Sequence, residues 1–530
     1  MFKYVIFDLE NTLYDYNATH LKALNHVFEL ILKKTDVKLE YLQKEYNENL
    51  NFDQLSKLSN LQVQTVLTPT FLNDEYWNMF YASITIYPSI KDLLDLYKSH
   101  GIQLGVRHQL QHDFLEQLQG LGLLERGYFD VVISSEERDY LSVKCNCSSH
   151  EILVISSSIE RRLSSLNFNY CYVNVNETIE FTNLLSFADT TSMYLYWKGL
   201  FEDLEEYVQY NKRIGERFDL VQAGGGNISF KYKGLLVIKA SGTSLSDTSF
   251  NSGYSILNNN QLLDDFKSNS PPKSTLKYNV FNFGIDNVPS TEIYMHSFLQ
   301  RVTVHVHPLI FLRVLIKKFY CFENVLHSFH VVDYFKPGIE LAKNIFNLYQ
   351  ESPKNVILLK NHGIVVTGNT FLQVLDTINA ITTKLEFKLN ISMKNYRLTN
   401  TISNIINKTQ VTYLSEDNII QKYLRKGNVS VFKDNYFPDK VQYCYNVHVI
   451  TNKTALFCVS KDTTTESKII IYQENLYIIS ETLKKCKQIE EVLKANLIIL
   501  ENNTESNLQQ LQDSEVSDLL HSRTLMTTIR

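Results

Sequence analysis

The chain has 530 residues, too many for one hydrophobic core, so two or three domains are expected. Apolar residues make up 44% and charged residues 21%, the balance of a soluble globular protein, and a net charge of −5 leaves no basic excess for a nucleic-acid partner. No apolar run reaches ~18 residues, so neither a transmembrane helix nor a membrane partner is expected. The opening MFKYVIFDLEN lacks the cationic and long apolar regions of a signal peptide. The cysteines are Cys145, Cys147, Cys171, Cys321, Cys444, Cys458 and Cys486. Their number is odd and no C-x-x-C pair occurs, which fits a reducing, cytoplasmic compartment. Cys145 and Cys147 lack a second pair nearby and read as incidental thiols rather than a soft-metal site.

Residues 1–178 alternate between strand-like and helical segments. Lys3–Phe7, Ile102–Val106, Val131–Ser134, Ile152–Ser156 and Tyr170–Val175 read as buried strands of a parallel sheet with helices on both faces. Residues 18–98 form a helical insertion, and 176–190 reads as a junction. A helix is expected at 191–213, followed by short strands and glycine turns, with 251–275 as a polar loop. Amphipathic helices are expected at 338–350 and 369–393. Residues 411–530 form a third block, with strands near 429–432 and 467–479, a helix near 480–494 and a polar helical end.

The stretch Arg301-Val-Thr-Val-His-Val-His-Pro308 carries the chemistry. Alternate residues of a strand share a face, so Val302, Val304 and Val306 face one way and Thr303, His305 and His307 the other. Two imidazoles so placed can bind one ion, and His362, between strand-like Val356–Leu359 and Ile364–Val366, can supply a third. Three His ligands with an open position suit a catalytic zinc, although imidazoles also suit other first-row divalent ions. An H-x-H strand alone is more often incidental, so the reading needs the surrounding motifs.

Those motifs are Asp219-Leu-Val-Gln-Ala-Gly-Gly-Gly-Asn-Ile-Ser229, Ile238-Lys-Ala-Ser-Gly-Thr-Ser-Leu245, Pro289-Ser-Thr-Glu-Ile-Tyr-Met-His296, HVHP and KNHG. In this order they resemble class II aldolases and adducin-head domains. They come closest to the aldolase half of rhamnulose-phosphate aldolase/dehydrogenase fusions. The likeness is strong over 191–400 and weaker over 411–530, which reads as a C-terminal α/β extension. It implies an α/β/α domain, a zinc or other divalent ion on His305, His307 and His362, and Glu292 as a catalytic carboxylate. It places a sugar phosphate against Asn227, Ser241, Gly242, Ser290 and Thr291. It also implies a homo-oligomer, commonly a tetramer. The bland reading of Glu292 alone is a solvated helix N-terminal acid. Lys239 could neutralise phosphate, although a strand-end lysine is usually only solvated.

Phe7-Asp-Leu-Glu-Asn-Thr-Leu13 resembles the first motif of haloacid-dehalogenase-type hydrolases, with the insertion at 18–98 in the place of their helical cap. The resemblance covers residues 1–178 and implies a Rossmann-like domain with Asp8 as nucleophile, Glu10 in the general-acid position and Lys144 as the available lysine. Two departures imply lost phosphatase activity. Arg107 replaces the usual Ser/Thr, and Val154–Ser158 lacks the acidic pair that holds Mg²⁺. Mg²⁺ is expected here only if the domain is active.

The expected whole is a multidomain α/β protein, a lyase that splits a ketose 1-phosphate into dihydroxyacetone phosphate and an aldehyde. Dehydration or epimerisation on the same site, a non-enzymatic binding module, and a bifunctional phosphatase-aldolase are the competing readings. Glu292, where epimerases of this fold carry Asp, weighs against epimerisation.

Overall fold

The computed structural model describes residues 2–49, 52–60, 67–108, 122, 127–134, 141–157, 169–173, 185–269, 274–281, 288–316, 322, 328–460, 466–501 and 509–528. The chain divides into two compact units, Met1–Glu202 with Val280–Gly284, and Asp203–Asn279 with Ile285–Arg530. Cys321, Ser158 and parts of the expected loops and cap lie outside the described residues. No helix among those described is long and apolar enough to cross a membrane. Six cysteines are described, all as free thiols.

The first unit is built on β1 (Tyr4–Asp8), β2 (Gln103–His108), β3 (Val131–Ser134), β4 (Ile152–Ser156), β5 (Asn169–Val173) and β6 (Leu185–Phe187), in the order β3-β2-β1-β4-β5-β6. Every neighbouring pair is parallel. Such a sheet is covered on both faces, which is why β1 reads as an unbroken apolar run and is buried throughout. β6 falls inside the stretch expected to be a junction; three residues are too few to show a period. The insertion is helical, at Tyr16–Leu32, Leu39–Asn49, Phe52–Asn60 and Pro69–Ser83. Local chemistry starts these helices: Asp15 accepts from Ala18 N at 2.9 Å, and Thr68 caps a helix that opens with Pro69. Asp8 ends β1 between β2 and β4, at the switch point where parallel sheets bind ligands.

The second unit holds a mixed sheet of β7 (Asn227–Tyr232), β8 (Leu235–Lys239), β9 (Tyr254–Asn258), β10 (Val302–Val306), β11 (His330–Val332), β12 (Val356–Leu359) and β13 (Gly363–Gly368). Its order is β11-β12-β13-β10-β7-β8-β9, with β10 in the middle. Ile293, Tyr294, Leu341 and Ile345 from helices Ile293–Phe298 and Ile339–Glu351 pack on one side with Ile238, Leu257 and Val365 of the sheet. Tyr207 and Phe371, from helices Thr190–Gly215 and Phe371–Leu389, meet Phe230 of β7. Both faces are therefore covered and all of β10 is buried, His305 included.

Three expectations are corrected. The loop expected at 251–275 contains β9 and helix Asn259–Lys267, begun by Asn258 accepting from Gln261 N at 3.1 Å; polar Asn and Ser hide Leu262 and Phe266, which turn inward together. The helix expected to run to 393 stops at Asn390, which takes a left-handed φ of 51°, and a second helix follows at Lys394–Ile406. The strand expected at 429–432 is a 3₁₀ turn, Ser430–Phe432, although Val431 and Phe432 are buried as their apolar character demands.

The C-terminal block contributes β14 (Val411–Ser415), β15 (Val447–Ile450), β16 (Lys468–Tyr472) and β17 (Asn475–Ser480), ordered β14-β17-β16-β15, with helices Leu483–Leu500 and Asp513–Thr528 after them. A buried carboxylate fastens it to helix Thr190–Gly215. Glu216 accepts from Arg213 Nη1 at 3.0 Å, Asn400 Nδ2 at 2.6 Å, Ser403 Oγ at 2.8 Å and Thr412 N at 2.8 Å. Arg213 Nη2 in turn donates to the carbonyls of Lys408 at 3.2 Å and Gln410 at 2.5 Å.

Candidate active site

β10 places His305 opposite Asn227 of β7 and Val365 of β13. His307 stands one residue past the strand's end. His362 sits in the tight turn joining β12 to β13, where Leu359 pairs with Gly363. Gly363 is required there: a Cβ would lie 2.4 Å from the Val306 carbonyl and 2.8 Å from His307 Cδ2. Gly226, with φ 70°, similarly brings the loop before β7 against the His305 carbonyl.

The three imidazoles converge. His305 Nε2 lies 3.1 Å from His307 Nε2 and 3.3 Å from His362 Nε2, and the three ligand atoms lie within 4.8 Å of one another. His305 Nδ1–H donates to the Ile364 carbonyl at 3.0 Å, which leaves a lone pair on Nε2. That single lone pair can accept at most one N–H, so the two facing nitrogens cannot both be satisfied by it. Burial pushes the His305 imidazolium down to about 4 and that of His307 to about 3, His307 also being opposed by its two neighbours. His362 is lowered as well, by burial and then by His305, with Glu292 acting against the shift. All three are neutral near pH 7 and present lone pairs to one small volume. A divalent cation fits that donor set.

Glu292 is the N-cap of helix Ile293–Phe298 and only 6% exposed, so the solvated-acid reading does not hold. Its Oε2 accepts from Asn227 Nδ2 at 2.7 Å and lies 3.6 Å from His305 Nε2. Its Oε1 lies 3.7 Å from His362 Nε2 and, among the described residues, accepts no hydrogen bond. One carboxylate oxygen is thus anchored and the other is open toward the imidazoles.

The remaining expected site residues divide. Ser241 N donates to the Val288 carbonyl at 2.7 Å and Ala240 bridges to Pro289, so the Ser241-Gly242 turn lies beside the Ser290-Thr291 stretch. Ser241, Gly242 and Thr291 are exposed, and Gly242 has a φ of 79°. Ser290 Oγ accepts from Glu292 N and from Asn227 Nδ2, each at 3.3 Å. Asn227 therefore directs its amide group at Glu292 and Ser290. Lys239 is not solvated: it is buried, and its Nζ donates to the carbonyls of Gly224 at 3.1 Å and Thr243 at 2.6 Å, tying the glycine loop to the Ser-Gly-Thr turn.

Sequence reasoning missed three residues beside this centre. Ser229 Oγ and His296 Nδ1 are 2.6 Å apart and both are buried. Lys231 Nζ donates to the carbonyls of Leu299 and, at 2.9 Å, Gln300. The available signal was spacing: Ser229 and Lys231 follow Asn227 at strand period, and His296 follows Glu292 by one helical turn.

In the first unit, Asp8 is held from two sides. Arg107 Nε and Nη2 donate to its two oxygens at 2.5 and 2.8 Å, and Ser156 Oγ donates at 2.5 Å. Asp8 and Arg107 are 2% and 1% exposed. Glu10 is buried and forms a bridge with Tyr14, whereas Lys144 is exposed at the end of the short helix Leu141–Lys144.

Residues 205–389 match the family model of the Class II Aldolase and Adducin N-terminal domain, and residues 5–140 match that of the Haloacid dehalogenase-like hydrolase. No curated protein matches the chain. Similar solved structures include the N-terminal class II aldolase domain of a conserved protein from Thermoplasma acidophilum, at 26% identity over 35% of this chain and 93% of that one, TM-score 0.32. L-fuculose 1-phosphate aldolase matches at 19% identity over 36% and 85%, TM-score 0.28. CbbY from Rhodobacter sphaeroides, in complex with phosphate, matches at 18% over 35% and 93%, TM-score 0.26.

Proposed function

We propose that this chain, in which a class II aldolase domain follows a haloacid dehalogenase-like domain, is a zinc-dependent aldehyde-lyase. Its substrate would be a ketose 1-phosphate, cleaved to dihydroxyacetone phosphate and an aldehyde. The observation that carries the reading is the meeting of three neutral imidazoles with one half-open carboxylate, whose oxygens lie 3.6 and 3.7 Å from His305 and His362.

His305, His307 and His362 would hold the divalent ion, which supplies Lewis-acid polarisation of substrate oxygens. Glu292 moves the proton. Asn227 fixes Oε2, so Oε1 is the oxygen that takes or returns a proton at the reacting carbon, a role worth about 10²–10⁴-fold. The exposed Ser241-Gly242 turn, with Ser290 and Thr291 alongside, would receive the phosphate through hydroxyls and backbone N–H groups. Lys239 braces that cradle from behind. The first unit works without phosphoryl transfer, because the Asp8 carboxylate is already engaged by the Arg107 fork. A cytoplasmic homo-oligomer completes the proposal.

The test is metal analysis of the purified protein, then coupled detection of dihydroxyacetone phosphate across a panel of ketose 1-phosphates. The expected result is one divalent ion per chain and turnover of at least one substrate. Glu292→Gln should retain the metal and lose turnover; an equally active variant would remove Glu292 from the chemistry.

A further inference from the structure

One face of β7 grips the short helix that Glu292 caps, at three successive points. Asn227 Nδ2 donates to Glu292 Oε2 at 2.7 Å, and Ser229 Oγ meets His296 Nδ1 at 2.6 Å. Lys231 Nζ binds the carbonyls of Leu299 and Gln300, at the helix's far end. On the strand these are residues i, i+2 and i+4, which point the same way. On the partner segment the contacts fall at Glu292, the helix N-cap, at His296 four residues on, and at Leu299 and Gln300, the C-cap and the residue after it. From Asn227 to Ser229 the strand advances about 6.6 Å and from Glu292 to His296 the helix about 6.0 Å, so the first two contacts match in spacing. The long Lys231 side chain reaches past the helix to the carbonyls at its exit, where the chain turns extended. The same strand is paired through Asn227 to His305, so one element fixes both the carboxylate and a ligand histidine.

We propose that Ser229, His296 and Lys231 are positioning residues for Glu292, locking its helix in axial register so that Oε1 faces the three imidazoles. The inference rests on Glu292 being the proton-transferring group. A buried, doubly polar core contact such as Ser229–His296 costs desolvation that an apolar pair would avoid. His296 also leaves its Nε2 without a hydrogen-bond partner among the described residues, so the pair is not there to maximise stability. What it offers instead is direction: an apolar helix face slides along a strand, and a hydrogen-bonded one does not.

The test uses the full chain with Ser229→Ala, His296→Leu and Lys231→Met, and the conservative His296→Asn and Lys231→Arg. Four quantities are read: kcat, KM, metal content, and amide exchange of residues 289–300 against that of β10. The expected result is a fall in kcat of about 10- to 100-fold, with KM within about threefold and full metal content. Exchange should rise in 289–300 alone, and the conservative variants should recover most of the loss. Unchanged kcat in all three removals, or metal content falling in step with kcat, overturns the proposal. If His296→Leu does not fold, Ser229→Ala, which deletes one atom, carries the same test. If the unaltered protein cleaves no ketose phosphate, the lyase reading fails by itself and exchange decides the ladder: unaltered protection of 289–300 in the variants sinks it.

Discussion

Arg107 grips Asp8 with a two-point fork, Nε to Oδ1 at 2.5 Å and Nη2 to Oδ2 at 2.8 Å, in the interior of the first unit. A nucleophile must offer a lone pair to phosphorus, and three of the carboxylate's about four acceptor sites are engaged, two by a guanidinium that stays charged at any working pH and one by Ser156. Full-length protein is therefore expected to hydrolyse 4-nitrophenyl phosphate at the background rate with or without Mg²⁺. Mg²⁺-stimulated turnover that Asp8→Asn abolishes would show the fork to be a resting state.

The same pair bears on stability. Removing one member leaves the other charged and buried, a loss of about 3–5 kcal/mol. Arg107→Ala is expected to lower the denaturant midpoint of the first unit, while the double variant Asp8→Asn/Arg107→Ala recovers part of the loss. Chemical denaturation followed by the unit's own tryptic fragments reads both; a double variant no more stable than Arg107→Ala would contradict the predicted recovery.

At the imidazole cluster, His305→Ala, His307→Ala and His362→Ala should each weaken divalent-ion binding by more than the roughly 10–100-fold typical of losing a supporting partner. Gly363→Ala should do nearly as much without touching a ligand, because its Cβ would lie 2.4 Å from the Val306 carbonyl and 2.8 Å from His307 Cδ2. Competition with a colorimetric chelator measures both. Native affinity in Gly363→Ala would mean that the turn can relax without moving His307.

Acid should unfold the metal-free protein early. His305 and His307 are held at about 4 and about 3, and His296 and His362 are also lowered, all chiefly by burial. As pH falls below the unfolded value of about 6.5, the unfolded chain takes up protons that the folded chain refuses, so stability drops. Each such histidine adds about 1.4 kcal/mol per pH unit to the slope. Melts at pH 7.0, 6.0 and 5.0 stay mostly above the carboxylate range; a flat profile over that interval contradicts the depressed values.

Much of the aldolase-like half was legible because β10 combines a strict alternation with two histidines, and because a glycine follows His362 where two backbones meet. Strands of the first sheet were legible as apolar runs flanked by turns. What escaped depended on contacts between distant segments. The motif placed Arg107 in the Asp8 site but not its two-point grip on the carboxylate, and Ser229 and His296 look ordinary until β7 and the Glu292 helix are laid together. The segment 251–275 misled for a different reason: its Asn and Ser residues cap and decorate a strand and a helix whose few apolar residues do the packing. At 429–432 the apolar residues were wrongly read as extended, since four residues cannot distinguish a buried turn from a strand.

Glu216 collects hydrogen bonds from Asn400, Ser403 and Thr412, and its partner Arg213 leans on the carbonyls of Lys408 and Gln410. A shortened protein that stopped where the histidine-bearing sheet and its helices end would strip that acid and that base of most of their hydrogen-bond partners. The tail beyond residue 400 is in this sense part of the foundation of the histidine-bearing half, and separating the two by protease or by gene truncation should yield an aggregating fragment rather than a smaller folded unit.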